Sequence, residues 1–378
     1  MKVMPQYSQY ELGSVCTRLS SGKGIPANQV FEEGTFPVYG GNGLRGYTDH
    51  SNFRGDCAII GRQGAFCGNV RYFSGEAYMT EHAVVVCANE NHNTRYLAYL
   101  LSQMNLGRLS GQSAQPGLSV KTLAKQIIEL PSLEVQNKVV AVLSSLDSKI
   151  ELNEKVNDNL EHQAELLYHE RFETVDRDKL PVGWRIVRLG DVATISKKSF
   201  NPAKEPEILL EHYSIPAFDE AHFPVFELST AIKSNKFIID NSCFMISKLN
   251  PTTKRVWKPY CLTANAVCST EFIVYKAKSQ EITNFLYSVI DSASFSDFMC
   301  SHVTGSTGSR QRTTPSDTLA FELVLPNAEE IAEYQGIVSP MFEQIKCNAI
   351  ENDRLKRLRD SLLPKLMSGE IDVSGIQL

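Results

Sequence analysis

The sequence predicts an α+β chain: two β-rich domains of similar fold, separated by two long antiparallel coiled-coil-like helices, with an internal pseudo-two-fold repeat. Three observations lead there. A helical segment opens at Leu130-Pro131 and another at Leu325-Pro326. Registering Asn153 on Asn348 carries Pro131 onto Pro326, Ile150 onto Ile345, Asn157 onto Asn352 and Leu160 onto Leu355. Within each segment apolar residues recur at sevenfold spacing, the signature of a paired helix. Ahead of each lies a strand- and turn-rich stretch of similar length. The boundaries read as residues 1–131 and 176–326 for the β-rich domains, and 132–175 and 327–370 for the helices, the last with its C-terminal tail.

The first domain opens on Leu12-Gly13. Residues 57–60 and 83–86 are apolar runs of strand length, and 94–101 has helical spacing. In the first long helix, Val139, Leu146, Asn153, Leu160 and Leu167 form one seam position, with Val142 and Val156 at the other. Ser132 is placed to cap its N-terminus. The second domain repeats the plan from Leu189-Gly190, with strands at 243–246 and 272–275 and a helix at 282–290. Its long helix carries Met341, Asn348, Leu355 and Leu362 at the first seam position and Ile337 and Leu358 at the second. Asn327 is placed as its cap, and Pro364 is expected to kink or stop it. Some 40 residues of helix span ~60 Å, and seams this polar need a partner. The economical partner is the other helix, in an antiparallel pairing that would put the β-rich domains at opposite ends. Asn153 and Asn348 then read as register-setting seam residues.

The totals narrow the class. At 378 residues the chain has room for two cores. Residues 1–10 are polar, so no signal peptide is expected, and no apolar run approaches the ~20 residues of a membrane span. No membrane association is expected. Nine cysteines without a Cys-x-x-Cys pair suit reduced thiols and a cytoplasmic protein. A net charge of −5 argues against a strongly basic, non-specific nucleic-acid binder, but leaves room for a reader with its cations on one face. Residues 185–258 carry eleven Lys and Arg against eight Asp and Glu, and residues 10–75 carry six against five.

Catalytic patterns fail on inspection. Gly41-Asn42-Gly43-Leu44-Arg45-Gly46 matches G-x-G-x-x-G, but Tyr47-Thr48-Asp49-His50 follows where a helix N-terminus would have to hold a pyrophosphate. The expectation is a glycine-rich β-turn. Asn250-Pro251-Thr252-Thr253 lacks the second proline and the stacking aromatic with which adenine methyltransferases hold a flipped base. No Glu-x-Lys occurs, and Asp147-Ser148-Lys149 lies in the first long helix. The eight histidines show no metal-ligand spacing. We expect no catalytic residues, no metal and no cofactor.

Loops between strands hold the remaining chemistry. In the first domain Asn42, Arg45 and Tyr47 precede Arg62, Gln63, Asn69 and Arg71. Arg suits guanine, Asn and Gln suit adenine, and neighbouring glycines let the backbone approach. In the second, Lys248 and Asn250 lead into Lys254, Arg255 and Lys258, and Arg310 and Arg312 close a Gly/Ser-rich turn suited to phosphates. Setting Cys57 on Cys243 also sets Val70 on Val256, placing the two loops at one scaffold position.

The chain resembles the specificity subunits of Type I restriction-modification enzymes. The resemblance rests on Pro37-Val38-Tyr39-Gly40-Gly41-Asn42-Gly43 with Gly46-Tyr47, and on Ser113-Ala114-Gln115-Pro116-Gly117-Leu118-Ser119. It also rests on residues 345–348 leading into Leu358-Arg359-Asp360-Ser361-Leu362-Leu363-Pro364-Lys365-Leu366-Met367-Ser368-Gly369-Glu370-Ile371. It departs at Ile331, where the family often has the Gln that Gln136 keeps in the first helix. The resemblance implies a non-catalytic subunit whose two target-recognition domains each read half of a bipartite, asymmetric double-stranded DNA target. It further implies conserved helices that act as a ruler and bind two modification (methyltransferase) subunits, with restriction (translocase/nuclease) subunits completing the assembly. A two-headed scaffold binding protein or carbohydrate is the alternative.

Overall fold

A computed structural model describes residues 7–110, 117–304, 311–373 and 375–377. The chain divides into two compact units. The first comprises Met1–Lys149 with Leu355–Leu378, the second Ile150–Arg354, so each unit includes part of both long helices.

In the first unit, β1 (Ser8–Glu11) is followed by β2 (Cys16–Ser21), the hairpin β3 (Phe36–Gly40) and β4 (Gly43–Thr48), then β5 (Phe53–Gly61), β6 (Val70–Met79) and β7 (Ala83–Ala88). Strands β2 to β7 form one six-stranded sheet in the order β2-β7-β5-β6-β3-β4. The apolar runs read from sequence lie in β5 and β7 at its centre, where Ala58, Ile60, Val84 and Val86 are fully buried. Helix α1 (Thr94–Gln103) covers that face, its first turn capped by Asn93. After α2 (Val120–Ala124), β8 (Ile127–Leu130) pairs antiparallel with β1, Ser8 opposite Leu130, and leads into α3 (Leu133–Tyr168). Val139 and Leu143 of α3 join this core together with Leu363 and Leu366 near the end of the chain.

The second unit repeats this frame. Strand β9 (Arg185–Arg188) precedes α4 (Leu189–Val192), β10 (Ala193–Ser196) and β11 (Ser199–Phe200). There follow β12 (Leu209–Tyr213), α5 (Ile215–Ala221), β13 (Val225–Leu228), β14 (Lys236–Ile238), β15 (Cys243–Ser247), β16 (Val256–Trp257), β17 (Ala266–Ser269) and β18 (Phe272–Ala277). Helices α6 (Thr283–Asp291) and α7 (Ala293–Ser301), then β19 (Val303–Thr304), β20 (Arg312–Thr313) and β21 (Glu322–Leu325), lead to α8 (Ala328–Met367). The sheet β10-β18-β15-β16 is the counterpart of β2-β7-β5-β6. Ile60 stands opposite Val70, and Ile246 stands opposite Val256, the equivalence drawn from sequence. Strands β21 and β9 pair with Leu325 opposite Arg185, as β8 and β1 do. In the five-stranded mixed sheet β11-β14-β17-β12-β13, the parallel β12–β17 pair and the antiparallel β12–β13 pair repeat the β3–β6 and β3–β4 pairs of the first unit, and strands of five residues or fewer leave no clear signal in the sequence.

The long helices start 195 residues apart, at Leu133 and Ala328. Ser132 Oγ accepts from Val135 N–H at 3.5 Å and Asn327 Oδ1 from Glu330 N–H at 2.9 Å, as expected of caps. The helices run antiparallel within each unit. In the second unit, Asn153 Nδ2 donates to Asn352 Oδ1 at 2.8 Å and Asn348 Nδ2 to Asn157 Oδ1 at 2.8 Å, two copies of one bond under the 195-residue shift. In the first, Arg359 Nη1 donates to Asp147 Oδ1 at 3.1 Å.

The second seam position differs from the sequence reading by one residue. Leu143, Ile150 and Ala164 are buried on α3, and Val338, Ile345 and Asn352 on α8. Val156, Ile337 and Leu358 instead stand 38%, 37% and 46% exposed. Of the first seam position, Val139, Asn153 and Asn348 are buried, and Leu146, Leu160, Leu167, Met341, Leu355 and Leu362 are half-buried. Pro364 does not stop α8, which carries on to Met367 before Gly369 turns it at φ +76°. The glutamine missing at Ile331 is supplied one turn on. Gln136 Oε1 accepts from Asn93 N–H at 2.9 Å, and Gln335 Oε1 from Asn284 N–H at 3.1 Å, so each unit seats its own covering helix on its own long helix.

Candidate nucleic-acid interface

In the first unit the β3–β4 hairpin closes between Gly40 and Gly43, the tight β-turn that the glycine pattern predicts. Tyr39 stands opposite Leu44 and Val38 opposite Gly46, leaving Arg45 as the extra residue of a β-bulge. A bulge re-aims the side chain it carries. Gly43 takes φ +102°, and a Cβ there would lie 2.6 Å from Arg71 Nη1, so the Arg71 guanidinium rests on a turn that only glycine fits. The adjoining loop, residues 62–69, is closed by Gly61 N–H donating to Asn69 O at 2.9 Å and Gly68 N–H to Gly61 O at 2.8 Å. A Cβ on Gly61 would stand 2.6 Å from Gly41 O, so hairpin and loop touch backbone to backbone.

The fold thus gathers Asn42, Arg45, Arg62, Gln63, Asn69 and Arg71 on two adjoining loops. Asn42, Arg45, Gln63, Asn69 and Arg71 are exposed, while Tyr47 and Arg62 are half-buried. Tyr47 exchanges backbone hydrogen bonds with Phe31, and Arg62 donates to Ser21 Oγ at 3.5 Å. None of the three arginines has an ion-pair partner among the described residues. Leu44 and Phe66, 50% and 42% exposed, stand beside them. Sequence reading passed over both, since nothing local marks an apolar residue as a surface one.

The second unit treats its cations differently. Lys254 Nζ meets Asp291 Oδ1 at 3.0 Å and Glu165 Oε1 at 3.4 Å, and donates to Asp291 O at 2.6 Å. Burial pulls its pKa down, but those carboxylates outweigh it and hold the value above the ordinary lysine range. Arg255 grips Asp219 with two bonds of 2.5 and 2.9 Å, and Arg312 grips Glu271 at 3.0 and 3.3 Å. Lys258 donates to Asn284 Oδ1 and lies 5.1 Å from the Phe342 ring centroid, and burial lowers its pKa to about 8. Asn250 sits at φ +48° with its Oδ1 buried and unpartnered. Lys248 is half-buried and has no ion pair among the described residues. Arg310 and the segments 113–116 and 305–309 lie outside the described residues.

Lys254 lies against an acidic cavity of about 240 Å³ lined in part by Glu161, Glu165, Tyr287, Asp291 and Phe342. Burial, then repulsion from Asp291 and Asp158, pushes the Glu161 carboxyl up to about 7. No group of His, Cys, Asp or Glu among the described residues is arranged to hold a metal. No helix among them is long and apolar enough to cross a membrane.

Comparison with known proteins bears on these loops. A family model described as the Type I restriction modification DNA specificity domain matches residues 5–162, a span that contains both loops of the first unit. The EcoprrI specificity subunit of Escherichia coli is 38% identical over 135 residues, 35% of this chain and 34% of that protein, so this match spans about a third of the relative's length. The MjaIX specificity subunit of Methanocaldococcus jannaschii is 28% identical over 316 residues, 75% of this chain and 70% of the relative. The crystal structure of a type I restriction-modification S subunit from M. genitalium superposes with a TM-score of 0.65 at 15% identity, covering 96% of both chains, a likeness of fold. A repeated β-rich frame, two long helices in a common register and these relatives make the chain similar to type I restriction-modification DNA specificity subunits, whose specificity domain matches residues 5–162.

Proposed function

We propose that the chain is the non-catalytic sequence reader of a type I restriction-modification complex, with one half of a bipartite, asymmetric double-stranded DNA target read by each recognition domain. Residues 1–131 and 176–326 are the recognition domains in this reading, and the helices of 132–175 and 327–370 set the distance between half-sites. The observation that carries it is the gathering of Arg45, Arg71, Asn42, Gln63 and Asn69, free of ion-pair partners, on adjoining loops within the matched span. Arg62 and Tyr47 border that surface. In the second domain Lys248 and Asn250, with Arg310, are the candidates the loops offer. Lys254, Arg255, Lys258 and Arg312 would each have to leave an intramolecular partner to reach DNA. Because the two heads differ in sequence and in sheets, the half-sites differ.

The long helices dock two modification (methyltransferase) subunits, and restriction (translocase/nuclease) subunits join them. Exposed apolar residues on the helices support this: Leu152, Val156, Leu166 and Ile337 in the second unit, Leu133 and Leu358 in the first. Nine free thiols suit a cytoplasmic protein. Mapping methylated adenines in cells that carry this chain with its modification partner tests the reading. It predicts one bipartite motif with unlike halves, whose gap alone changes when a turn is removed from both helices. Loss of the half-site sequences, with the gap kept, would sink the ruler. Sequence-independent binding by the complex, insensitive to salt, would favour the scaffold alternative.

A further inference from the structure

Lys254, Arg255, Lys258 and Arg312 are held inside the second unit, and besides Lys248 that unit has free cations away from their loop. Residues 197–204 (Lys-Lys-Ser-Phe-Asn-Pro-Ala-Lys) and 229–236 (Ser-Thr-Ala-Ile-Lys-Ser-Asn-Lys) hold five lysines and no carboxylate. The fold lays the two segments side by side. β11 is the edge strand of the five-stranded sheet and pairs with β14, Phe200 opposite Lys236, and Ile238 N–H donates to Lys198 O at 2.8 Å. Beyond the strands, Ser229 Oγ donates to Glu205 O at 2.7 Å, pinning the turn after Pro202 to the turn at Ser229–Ala231.

Lys197, Lys198, Lys204 and Lys233 are exposed, and none has an ion-pair partner among the described residues. Lys236 is 6% exposed and donates only to neutral acceptors, Ser234 Oγ at 2.7 Å and Ser234 O at 3.2 Å. Neighbouring carboxylates cancel this charge only in part. Asp240 is taken by Lys276 at 2.5 Å, whereas Glu227, bonded to His212 at 2.6 Å, acts on Lys236, and Glu205 and Glu207 follow Lys204, so five lysines face three carboxylates. Four unpaired lysines over a buried fifth form a positive patch in a unit whose Lys254, Arg255, Lys258 and Arg312 are engaged.

We infer that this lysine-bearing edge, Lys197, Lys198, Lys204 and Lys233, is the surface with which the second unit grips the phosphates of double-stranded DNA. The inference rests on the DNA-reading proposal and adds where that grip is made. Lysine on an edge strand also discourages strand addition. That role explains Lys197 and Lys198 but not Lys204 and Lys233, which lie in the turns. Compact ammonium groups on flexible stems suit contacts that position a protein on the backbone without reading bases. The loop carrying Lys254 and Lys258 serves instead to anchor the unit's sheet to its own helices.

The test uses the complex of this chain with its modification subunit and a fragment bearing its methylation motif. K197Q/K198Q/K204Q/K233Q changes only exposed side chains. We expect roughly a tenfold or greater loss of affinity at physiological salt, and a log K against log salt slope flatter by about 0.9 for each phosphate no longer neutralised. The methylated motif should stay the same. Unchanged affinity and slope in the variant, beside a selective and salt-sensitive parent, would overturn the inference alone. A parent complex without sequence selectivity would remove the DNA-reading proposal and this inference with it. Failure of the variant to join the modification subunit without DNA would assign the edge to a protein partner and equally overturn it.

Discussion

The asparagine ladder of the long helices makes a sharp energetic prediction, because Asn153, Asn348 and Asn352 are buried and paired. Asn153 is 3% and Asn352 6% exposed, and Asn153 Nδ2 serves both Asn352 Oδ1 at 2.8 Å and Glu351 Oε2 at 2.7 Å. Asn153→Leu leaves a buried carbonyl without its donor, which costs about 1–3 kcal/mol. Asn352→Leu should cost a similar amount. The double substitution removes both ends and puts two apolar side chains into the seam, so it should fall within about 1 kcal/mol of the parent or exceed it. The non-additivity is then about 1–3 kcal/mol, and at about 2–4 °C per kcal/mol for a domain of this size it is visible in a melting curve. Urea titration of the parent, both singles and the double closes the cycle. A double variant that loses the sum of the two single losses would refute the reasoning, showing that the two amides act independently. An apolar seam would also relax the register, since a polar seam residue fixes alignment at a cost in stability.

Asp147 ties three groups in the first unit, with Arg95 Nη2 at 3.3 Å, Arg359 Nη1 at 3.1 Å and the Tyr99 hydroxyl, which donates to it. Asp147→Asn should cost about 1–3 kcal/mol and lower hydrogen-exchange protection across α1, and protection equal to the parent's would refute it. Gly43→Ala and Gly55→Ala both place a side chain at positive φ, +102° and +118°, but only the first meets Arg71. Each should lose about 1–3 kcal/mol from backbone strain, while only Gly43→Ala should weaken DNA binding; equal binding losses would detach Arg71 from the interface. Glu161 has a folded pKa of about 7, above its unfolded value of about 4.3, so its contribution is whole below the lower value and lost as pH rises through the higher. Glu161→Gln should therefore gain on the parent between pH 5 and pH 8, by under about 1 kcal/mol because solvent reaching the cavity screens the carboxylate. A difference that does not change with pH would contradict this.

Much of the frame was legible in the residues themselves. The 195-residue repeat, the strands of β5, β7, β15 and β18, the helices α1 and α6 and the caps at Ser132 and Asn327 all follow from local spacing and hydrogen-bonding chemistry. The loop residues of the first unit were also legible, because glycine at positive φ and a bulge are local properties that put Arg45 and Arg71 where they are. The second seam position was not. Spacings of three and four residues both average to the helical repeat, so Val142 and Leu143 were equal candidates until a partner helix chose Leu143.

The fate of a charged side chain is likewise a question about distant neighbours. Lys254 and Arg255 look as available in sequence as Arg45 and Arg71, but Asp291, Glu165 and Asp219, 36 residues or more away, claim them. Backbone preference and apolar rhythm act between residues a few places apart, so the chain alone determined its longer elements and their repeat. Ion pairing and burial act between residues that only folding brings within a few ångströms, so the tertiary structure alone decided which cations stay free of intramolecular partners.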